Sequence, residues 1–180
     1  MLRLCEVLYH GDEPLEEGVD GSSLELVDLR GCEESGWDVS LGGGDGLEVD
    51  CGQISDDLYR LFRESGIRVM SNESAYSALV DSSSGRVYGG LVASFDLPDD
   101  YDEFEHGNGV VTFSVVVDPE ARGQQLARRL IEDLISSNKR SLVRAQVVNP
   151  VMEKVLVGMG FERVSEEGSS AGLVYQWKRR

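Results

Sequence analysis

The order of its elements predicts that this 180-residue chain folds as an α/β (α+β) protein, with a mixed central sheet and helices on both faces. Its second half alternates strand, helix, strand, helix and strand, and crossovers of helical length join parallel strands. Val110–Val117 is apolar and mostly β-branched, which is typical of a buried central strand. We expect a single domain over residues 1–180. Apolar residues at helical spacing follow the central strand, at Ala127, Leu130, Ile131, Leu134 and Ile135.

The first fifty residues predict an acidic, strand-rich N-terminal extension. Leu24–Leu29 partly alternates between apolar and polar residues, and Leu47–Cys51 does so throughout, as half-buried strands do. The glycine-rich stretch 42–46 between them is typical of a turn. The next element is a helix from Ser55, which can cap its start, to Gly66, which can end it.

A hairpin is expected next, from strands at 75–80 and 86–95 around a polar turn. The adjacent Gly89 and Gly90 indicate either a β-bulge or a close approach of another part of the chain. After the central strand and its helix, Leu142–Val148 predicts a further strand. Asn149 then caps a helix that has Pro150 at its first position and runs to about Gly158 or Gly160.

A last strand is predicted at Leu173–Trp177. The apolar runs are too short to span a bilayer, and the first residues hold no long apolar stretch, so we expect neither a membrane segment nor a signal peptide. The three cysteines and two histidines lack zinc-site spacing, which predicts free thiols, no metal and a cytoplasmic location.

Charge is distributed unevenly along the chain. The formal net charge is −16, and residues 1–50 carry −12 of it, with 14 acidic against 2 basic residues. Such a field repels nucleic acid and favours cationic partners. An acidic face that only keeps the protein in solution is the alternative. An oligomeric assembly is compatible with both roles of the acidic segment.

The segment after the central strand predicts an anion-binding site. An apolar strand leads through a turn with Pro119 into Arg122-Gly123-Gln124-Gln125-Leu126-Ala127, where an amphipathic helix opens. A helix N-terminus presents free backbone N–H groups and the positive end of the helix dipole, and both attract phosphate. The sequence therefore indicates a nucleotide-type cofactor.

With these residues the chain resembles the GNAT (GCN5-related N-acetyltransferase) superfamily. Val115–Pro119 matches the family's strand end and turn, and Arg122, Gly123 and Ala127 match its Arg/Gln-x-x-Gly-x-Gly/Ala loop, with the fourth position changed. Asn149 and Gly160-Phe161 match the family's second signature in type and spacing. The resemblance covers about residues 75–178.

The resemblance implies a GNAT-like mixed sheet that is splayed at the cofactor strands and binds acetyl-CoA. The strand backbone would pair with the pantetheine arm, the loop amides would hold the pyrophosphate, and the asparagine would contact the cofactor from the next strand end. The residues that it assigns to the cofactor are Val115, Val117, Arg122, Gly123, Gln124, Gln125, Leu126, Ala127, Arg128 and Asn149.

Catalytic residues are unknown from the sequence. Gln125 stands where the family usually has Gly, and Leu156 stands where many members carry a proton-donating Tyr. A strand N–H near Val116 or Val117 could stabilise the oxyanion. The central strand carries no acid, so a base would come from Glu105, His106 or the N-terminal region, and an acid from Tyr76, Tyr101 or Tyr175.

Two functions follow from these observations. The first is an acetyl-CoA-dependent N-acetyltransferase that acts on a primary amine of a cationic small molecule or protein. The second is a catalytically weak acyl-CoA-binding or protein-interaction module that uses the acidic N-terminal face.

Overall fold

The computed structural model describes residues 23–30, 38–42, 46–69, 73–96, 110–138, 142–147, 150–164 and 173–178. Nine strands and three helices lie in these ranges, with a short 3-10 turn at Pro119–Ala121. In chain order they are β1 (Leu24–Asp28), β2 (Asp38–Leu41), β3 (Leu47–Asp50), α1 (Cys51–Glu64), β4 (Ser74–Asp81), β5 (Val87–Asp96), β6 (Val110–Val117), α2 (Leu126–Ser137), β7 (Leu142–Val147), α3 (Pro150–Gly158), β8 (Glu162–Val164) and β9 (Leu173–Lys178).

Seven strands form one mixed sheet in the order β1-β4-β5-β6-β7-β9-β8. β6 and β7 are parallel, as the helical crossover between them predicts, and the other neighbours are antiparallel. β1, from the acidic first fifty residues, pairs with β4 at one edge. β2 and β3 form a separate two-stranded sheet, and the sequence did not predict β2 or β8.

Helices cover both faces of the sheet, which confirms the predicted fold class. α2 and α3 pack on one face through Leu130, Ile131, Leu134 and Leu156. α1 packs on the other face through side chains that include Leu58. Each fully buried aliphatic side chain contributes roughly 1.5–3 kcal/mol, so both layers are held firmly against the sheet. Within the predicted stripe of α2, Ala127 and Ile135 are only half-buried.

The start of α1 differs from the prediction. The helix begins four residues before Ser55, at Cys51, and Asp50 is its N-cap, with a carboxylate that accepts a hydrogen bond from the Gln53 N–H at 2.8 Å. Ser55 is buried inside the helix instead of capping it. β3 passes directly into α1, so the cap is the last residue of the strand. Gly66 follows the helix with a φ of 70°, as expected of a terminating glycine.

The glycine pair in β5 marks a close approach, as predicted. A Cβ on Gly90 would lie 2.4 Å from Leu58 Cδ1 and 2.8 Å from the Ser77 carbonyl oxygen. A Cβ on Gly89 would lie 2.9 Å from the Val116 carbonyl oxygen. α1 therefore sits on β5 at a distance that only glycine permits.

The expectation of free thiols is wrong for Cys51, which is disulfide-bonded at the buried start of α1. The second sulfur of that bond lies outside the described residues. Cysteine spacing along a chain does not reveal which thiols meet in space, so the sequence could not predict this pairing.

Candidate functional site

β6 and β7 pair over only part of their length. Their parallel register runs from Val110 opposite Leu142 to Phe113 opposite Ala145 and ends there. β6 continues through Ser114–Val117 while still paired with β5 on its other side. The two central strands therefore splay apart into an open wedge, as the resemblance implied.

The wedge holds a cavity of about 640 Å³. Its walls are the free end of β6, the turn after it, the first turn of α2 and one face of α3. Ser65 and Ile67, just after α1, line it as well, so the cavity reaches the opposite face of the sheet. Eight of the residues assigned from the resemblance line it, namely Val115, Val117, Arg122, Gly123, Gln125, Leu126, Ala127 and Arg128.

One of the other two assigned residues, Gln124, is half-buried within the loop and is not part of the described cavity lining. Asn149 lies outside the described residues, although α3 begins at Pro150 directly after it, as predicted.

The free edge of β6 presents backbone groups of alternate residues to the wedge. The Val116 carbonyl faces β5, close to Gly89, and the Asp118 N–H donates to the Tyr88 carbonyl at 2.8 Å. Because backbone groups alternate in direction along a strand, the N–H and C=O groups of Val115 and Val117 face the wedge. The Val116 N–H, which the sequence offered as an oxyanion donor, points to β5 instead.

The turn between β6 and α2 contains two left-handed residues, Gly123 with a φ of 83° and Gln125 with a φ of 58°. Gln125 is the only non-glycine residue with positive φ in the described part of the chain. A left-handed conformation costs an ordinary L-residue roughly 1–2 kcal/mol, which glycine avoids. Gln125 thus has a backbone conformation that is typical of glycine, and it stands at the position where the loop pattern described above has glycine.

α2 begins with amides that have no acceptor in its own first turn. The Arg129 N–H donates to the Gln125 carbonyl at 3.1 Å, and this is the first bond of the helix. Among the described residues, no acceptor is seen for the backbone N–H groups of residues 125–128. Together with the helix dipole they form a corner at the mouth of the wedge that suits an anion, and we call it the anion-binding corner.

Cationic side chains line the same cavity. Arg122, Arg128 and Lys154 are exposed and are the charged residues of the described cavity lining. Arg128 also forms a hydrogen-bonded ion pair with Glu132, with 2.8 Å between Nε and Oε1. The remaining wall is mainly apolar, with Phe113 and the valines of β6 on one side and residues of α3 on the other.

The opposite end of the wedge contains a buried acid that the sequence analysis missed. Glu73 is 8% exposed, and its Oε1 accepts a hydrogen bond from Ser114 Oγ at 3.0 Å. Ser114 is the first residue of β6 beyond the paired region, and it lines the cavity. Glu73 immediately precedes β4 and carries no motif, so only the pairing of β4 with β5 and of β5 with β6 brings it to the site.

The tyrosines offered as proton donors point elsewhere. The Tyr76 hydroxyl shares a hydrogen bond of 2.7 Å with Ser137 Oγ. The Tyr175 hydroxyl donates to Glu153, and this bond together with burial raises the pKa of the phenol. Neither residue belongs to the described cavity lining. Tyr101, Glu105 and His106 lie outside the described residues.

Leu156 is fully buried in the core under α3, facing the sheet. It does not line the described cavity, whose α3 wall consists of Val151, Met152, Lys154, Val155 and Gly158. Its apolar side chain cannot donate a proton, so a proton donor for a leaving group would have to be another residue or solvent.

The described part of the chain contains no helix that is long and apolar enough to cross a membrane. Its His, Cys, Asp and Glu side chains also form no group of three or more that could hold a metal ion.

Comparison with known proteins finds similarity in fold alone. No family model matches the chain, and no curated protein matches it. The structure of Arabidopsis thaliana NAA60 in complex with a bisubstrate analogue overlaps with a TM-score of 0.51 at 15% identity, covering 69% of this chain and 95% of that chain.

Two more solved structures overlap less well. A GCN5-related N-acetyltransferase from Kribbella flavida has a TM-score of 0.48 at 16% identity and covers 89% of this chain and 100% of its own. An N-acetyltransferase from Staphylococcus aureus Mu50 has a TM-score of 0.45 at 16% identity and covers 67% of this chain and 72% of its own.

Proposed function

We propose, from the premise that this chain has the fold of the GNAT N-acetyltransferases, that it binds acetyl-CoA in the β6–β7 wedge and transfers the acetyl group to a primary amine. One observation carries the proposal. The free edge of β6 and the amide-rich start of α2 border the same cavity of about 640 Å³. This combination suits a long ligand that has amide groups along an extended arm and an anionic group at one end.

The residues of the wedge fit this cofactor. The outward backbone groups of Val115 and Val117 would pair with the amides of the pantetheine arm, as an added strand does. The amides of residues 123–128 would hold the pyrophosphate, and Asn149 would contact the arm from the end of β7. Arg122, Arg128 and Lys154 supply positive charge for phosphate at the mouth.

When bound, acetyl-CoA supplies an acyl group that is already activated as a thioester. The protein therefore has to position the group, exclude water and stabilise the charge that develops on its carbonyl oxygen. The N–H groups of Val115 and Val117 are the strand donors that face the wedge, and one of them would serve as the oxyanion donor. The mainly apolar wall raises the strength of such a bond, because it lowers the local dielectric constant.

A cationic amine is the acceptor that the charges favour. Within the described residues, the positive side chains of the cavity lie at its α2 and α3 end, whereas Glu73 lies behind Ser114 at the other end. The −12 net charge of residues 1–50 adds a field that attracts cations. We expect a polyamine, an aminoglycoside-like compound, or a lysine or N-terminal amine of a protein.

Titration calorimetry with acetyl-CoA, followed by a thiol-release assay over a panel of these amines, tests the proposal. We expect binding in the micromolar range and CoA release that depends on the amine. The double variant R122A/R128A should weaken acetyl-CoA binding by about tenfold or more, since each charged hydrogen bond contributes on the order of 1.5 kcal/mol. Absence of binding at millimolar acetyl-CoA would refute the proposal.

A catalytically weak acyl-CoA-binding or protein-interaction module is the second candidate. The burial of Leu156 favours it, because no phenol stands on α3 to protonate a thiolate. Acetyl-CoA binding without turnover of any amine would select this candidate. The variant E13Q/E16Q/E17Q lowers the negative charge of residues 1–50 and leaves β1, which is part of the main sheet, unchanged. Loss of a protein partner in that variant would support the interaction role.

A further inference from the structure

The contact between Glu73 and Ser114 sits where the wedge narrows. Ser114 follows the last paired residue of β6, Phe113, so its hydroxyl lies at the apex of the splay. Side chains at odd positions of β6 join the core under α2 and α3, whereas Val116 joins the core under α1. Ser114 and Val116 are two positions apart on the strand, so their side chains lie on the same face of the sheet, the face covered by α1. Ser65 and Ile67 border the cavity on this side as well.

The two ends of the cavity thus have opposite chemistry. Phosphate-binding groups stand at the α2 end, on one face of the sheet. A hydroxyl backed by a buried carboxylate stands at the apex and faces the other side. A ligand anchored by phosphates at α2 would extend its far end along β6 towards Ser114, and a second reactant would reach the same point from the α1 side.

We propose that Ser114 and Glu73 form a proton relay for the acceptor amine, with Ser114 in contact with the amine and Glu73 acting through Ser114. The inference rests on the proposed acetyltransferase function. It names the residues of this chain that would prepare an ammonium group for attack.

The ammonium N–H donates to Ser114 Oγ while the Ser114 O–H proton moves to Glu73 Oε1, and the free amine attacks the thioester carbonyl carbon. The C–N bond forms, the C–S bond breaks, and the second amine proton goes to the departing thiolate. The products are the acetamide, CoA-SH and one proton held by Glu73, which returns to solvent before the next cycle. No oxidant or further co-reactant is needed.

The test compares E73Q and S114A with the unaltered protein over a range of pH. E73Q keeps the size of the side chain and can still accept from Ser114, but it cannot take up a proton. We expect kcat/KM near neutral pH to fall by about 100-fold in E73Q, at the lower end of the range of general base catalysis, and by about tenfold in S114A. Both deficits should shrink towards pH 10, because a lysine-like amine with a pKa near 10.4 then arrives deprotonated.

A binding measurement gives a readout that does not depend on turnover. Calorimetric titration of the amine into CoA-saturated protein should show about tenfold weaker binding in E73Q, because the ammonium loses its buried counter-charge. Acetyl-CoA affinity and thermal unfolding should stay unchanged. Two matched controls should behave like the unaltered protein. S94A replaces a buried serine of β5, and E153Q replaces the glutamate that accepts the hydrogen bond from Tyr175.

Three outcomes would overturn the relay: an unchanged kcat/KM in E73Q and S114A, a deficit that stays constant with pH, or unchanged amine affinity in E73Q. If E73Q does not fold, E73D decides in its place, since it keeps the carboxylate and should retain more rate than S114A at neutral pH. An unaltered protein that binds acetyl-CoA but acetylates no amine would overturn the transferase function and the relay together.

Discussion

At the residue scale, Gln125 holds a left-handed backbone conformation that is typical of glycine. The residue keeps a φ of 58° at the junction of turn and helix, and its side chain is exposed. Because the backbone sets the direction of the α2 amides, the anion-binding corner forms with Gln at this position. The cost is conformational strain, and it can be measured.

The variant Q125G should raise the free energy of unfolding by up to about 1 kcal/mol, since release of left-handed strain exceeds the entropy that glycine adds to the unfolded chain. Q125V should lower it by more than 1 kcal/mol, because a β-branched side chain is disfavoured at positive φ. Urea denaturation measures both. Q124G is the control, as its φ is not positive, and it should not stabilise the protein. A destabilised Q125G would contradict the strain argument.

Asp81 is a second residue whose environment makes a prediction. It is the last residue of β4, before the turn into β5, and its carboxylate accepts hydrogen bonds from Ser83, from Ser84 and from Ser23 Oγ, the last at 2.9 Å. These bonds, the one from the Ser83 hydroxyl above all, hold the pKa of Asp81 well below its usual range. A carboxyl with a depressed folded-state pKa stabilises the protein above its unfolded pKa of about 3.9, and this contribution is lost as pH falls through the folded value.

We therefore expect D81N to be less stable than the unaltered protein at pH 7 by about 1 kcal/mol, the usual net value of such hydrogen bonds. The difference should narrow below about pH 4. Thermal unfolding at pH 7, 5 and 3 measures it. D56N, an exposed residue of α1, provides the comparison. A D81N deficit that is equal at all three pH values would show that the charge plays no part.

At the element scale, the free edge of β6 results from how β6 pairs with its two neighbours, β5 and β7. It arises because β7 stops pairing after Ala145 while β5 continues to pair with β6 through Val117. The backbone groups on the two edges of β6 therefore have different roles: one set holds the sheet together and the other faces the wedge.

Proline scanning separates these two roles. V115P removes an N–H that faces the wedge, so the protein should fold while its acetyl-CoA affinity falls about tenfold, the value of one hydrogen bond. V116P removes an N–H that faces β5 and should destabilise the sheet. Circular dichroism with calorimetry distinguishes the two. Undiminished acetyl-CoA binding by a folded V115P would argue against pairing of the cofactor along β6.

The contact between α1 and β5 gives a second prediction for elements. G90A should lower the free energy of unfolding by about 1–3 kcal/mol, because its Cβ would meet Leu58 and the Ser77 carbonyl at less than contact distance. G158A, near the end of α3, has nothing within 4 Å of the added Cβ and should be neutral or stabilising. Equal effects of the two changes in urea denaturation would show that α1 does not pack as closely as described.

At the scale of the whole molecule, the charge distribution should govern how an acceptor arrives. The net charge is −16 overall and −12 in residues 1–50, so a cationic amine is attracted over a range set by ionic strength. We expect kcat/KM for a polyamine to fall several-fold between about 0.02 and 0.3 M salt, with kcat little changed. A neutral amine serves as the control. The same salt dependence for both amines would show that the acidic segment does not steer the acceptor.

Sequence patterns predicted most elements of the core correctly. Val110–Val117 is strongly apolar and β-branched, and its strand has the predicted ends. The start of α1 was misplaced because Asp50 and Ser55 are both good caps, and only the packing of Cys51 and Ile54 decides between them. β2 and β8 are short strands. They are extended because they pair with β3 and β9, more than because of their own residues, so the sequence did not predict them.

The sequence by itself determined the order of the main elements, the apolar faces of the helices and the turn that leads into α2, because these depend on neighbours within a few positions along the chain. Only the tertiary structure decided that β6 and β7 separate beyond Phe113, that Val115 and Val117 face the wedge, and that Leu156 belongs to the core. It also brought Glu73 against Ser114, forty-one positions away. The physical reason is that register between strands sets these contacts, and register is fixed by the packing of the whole sheet.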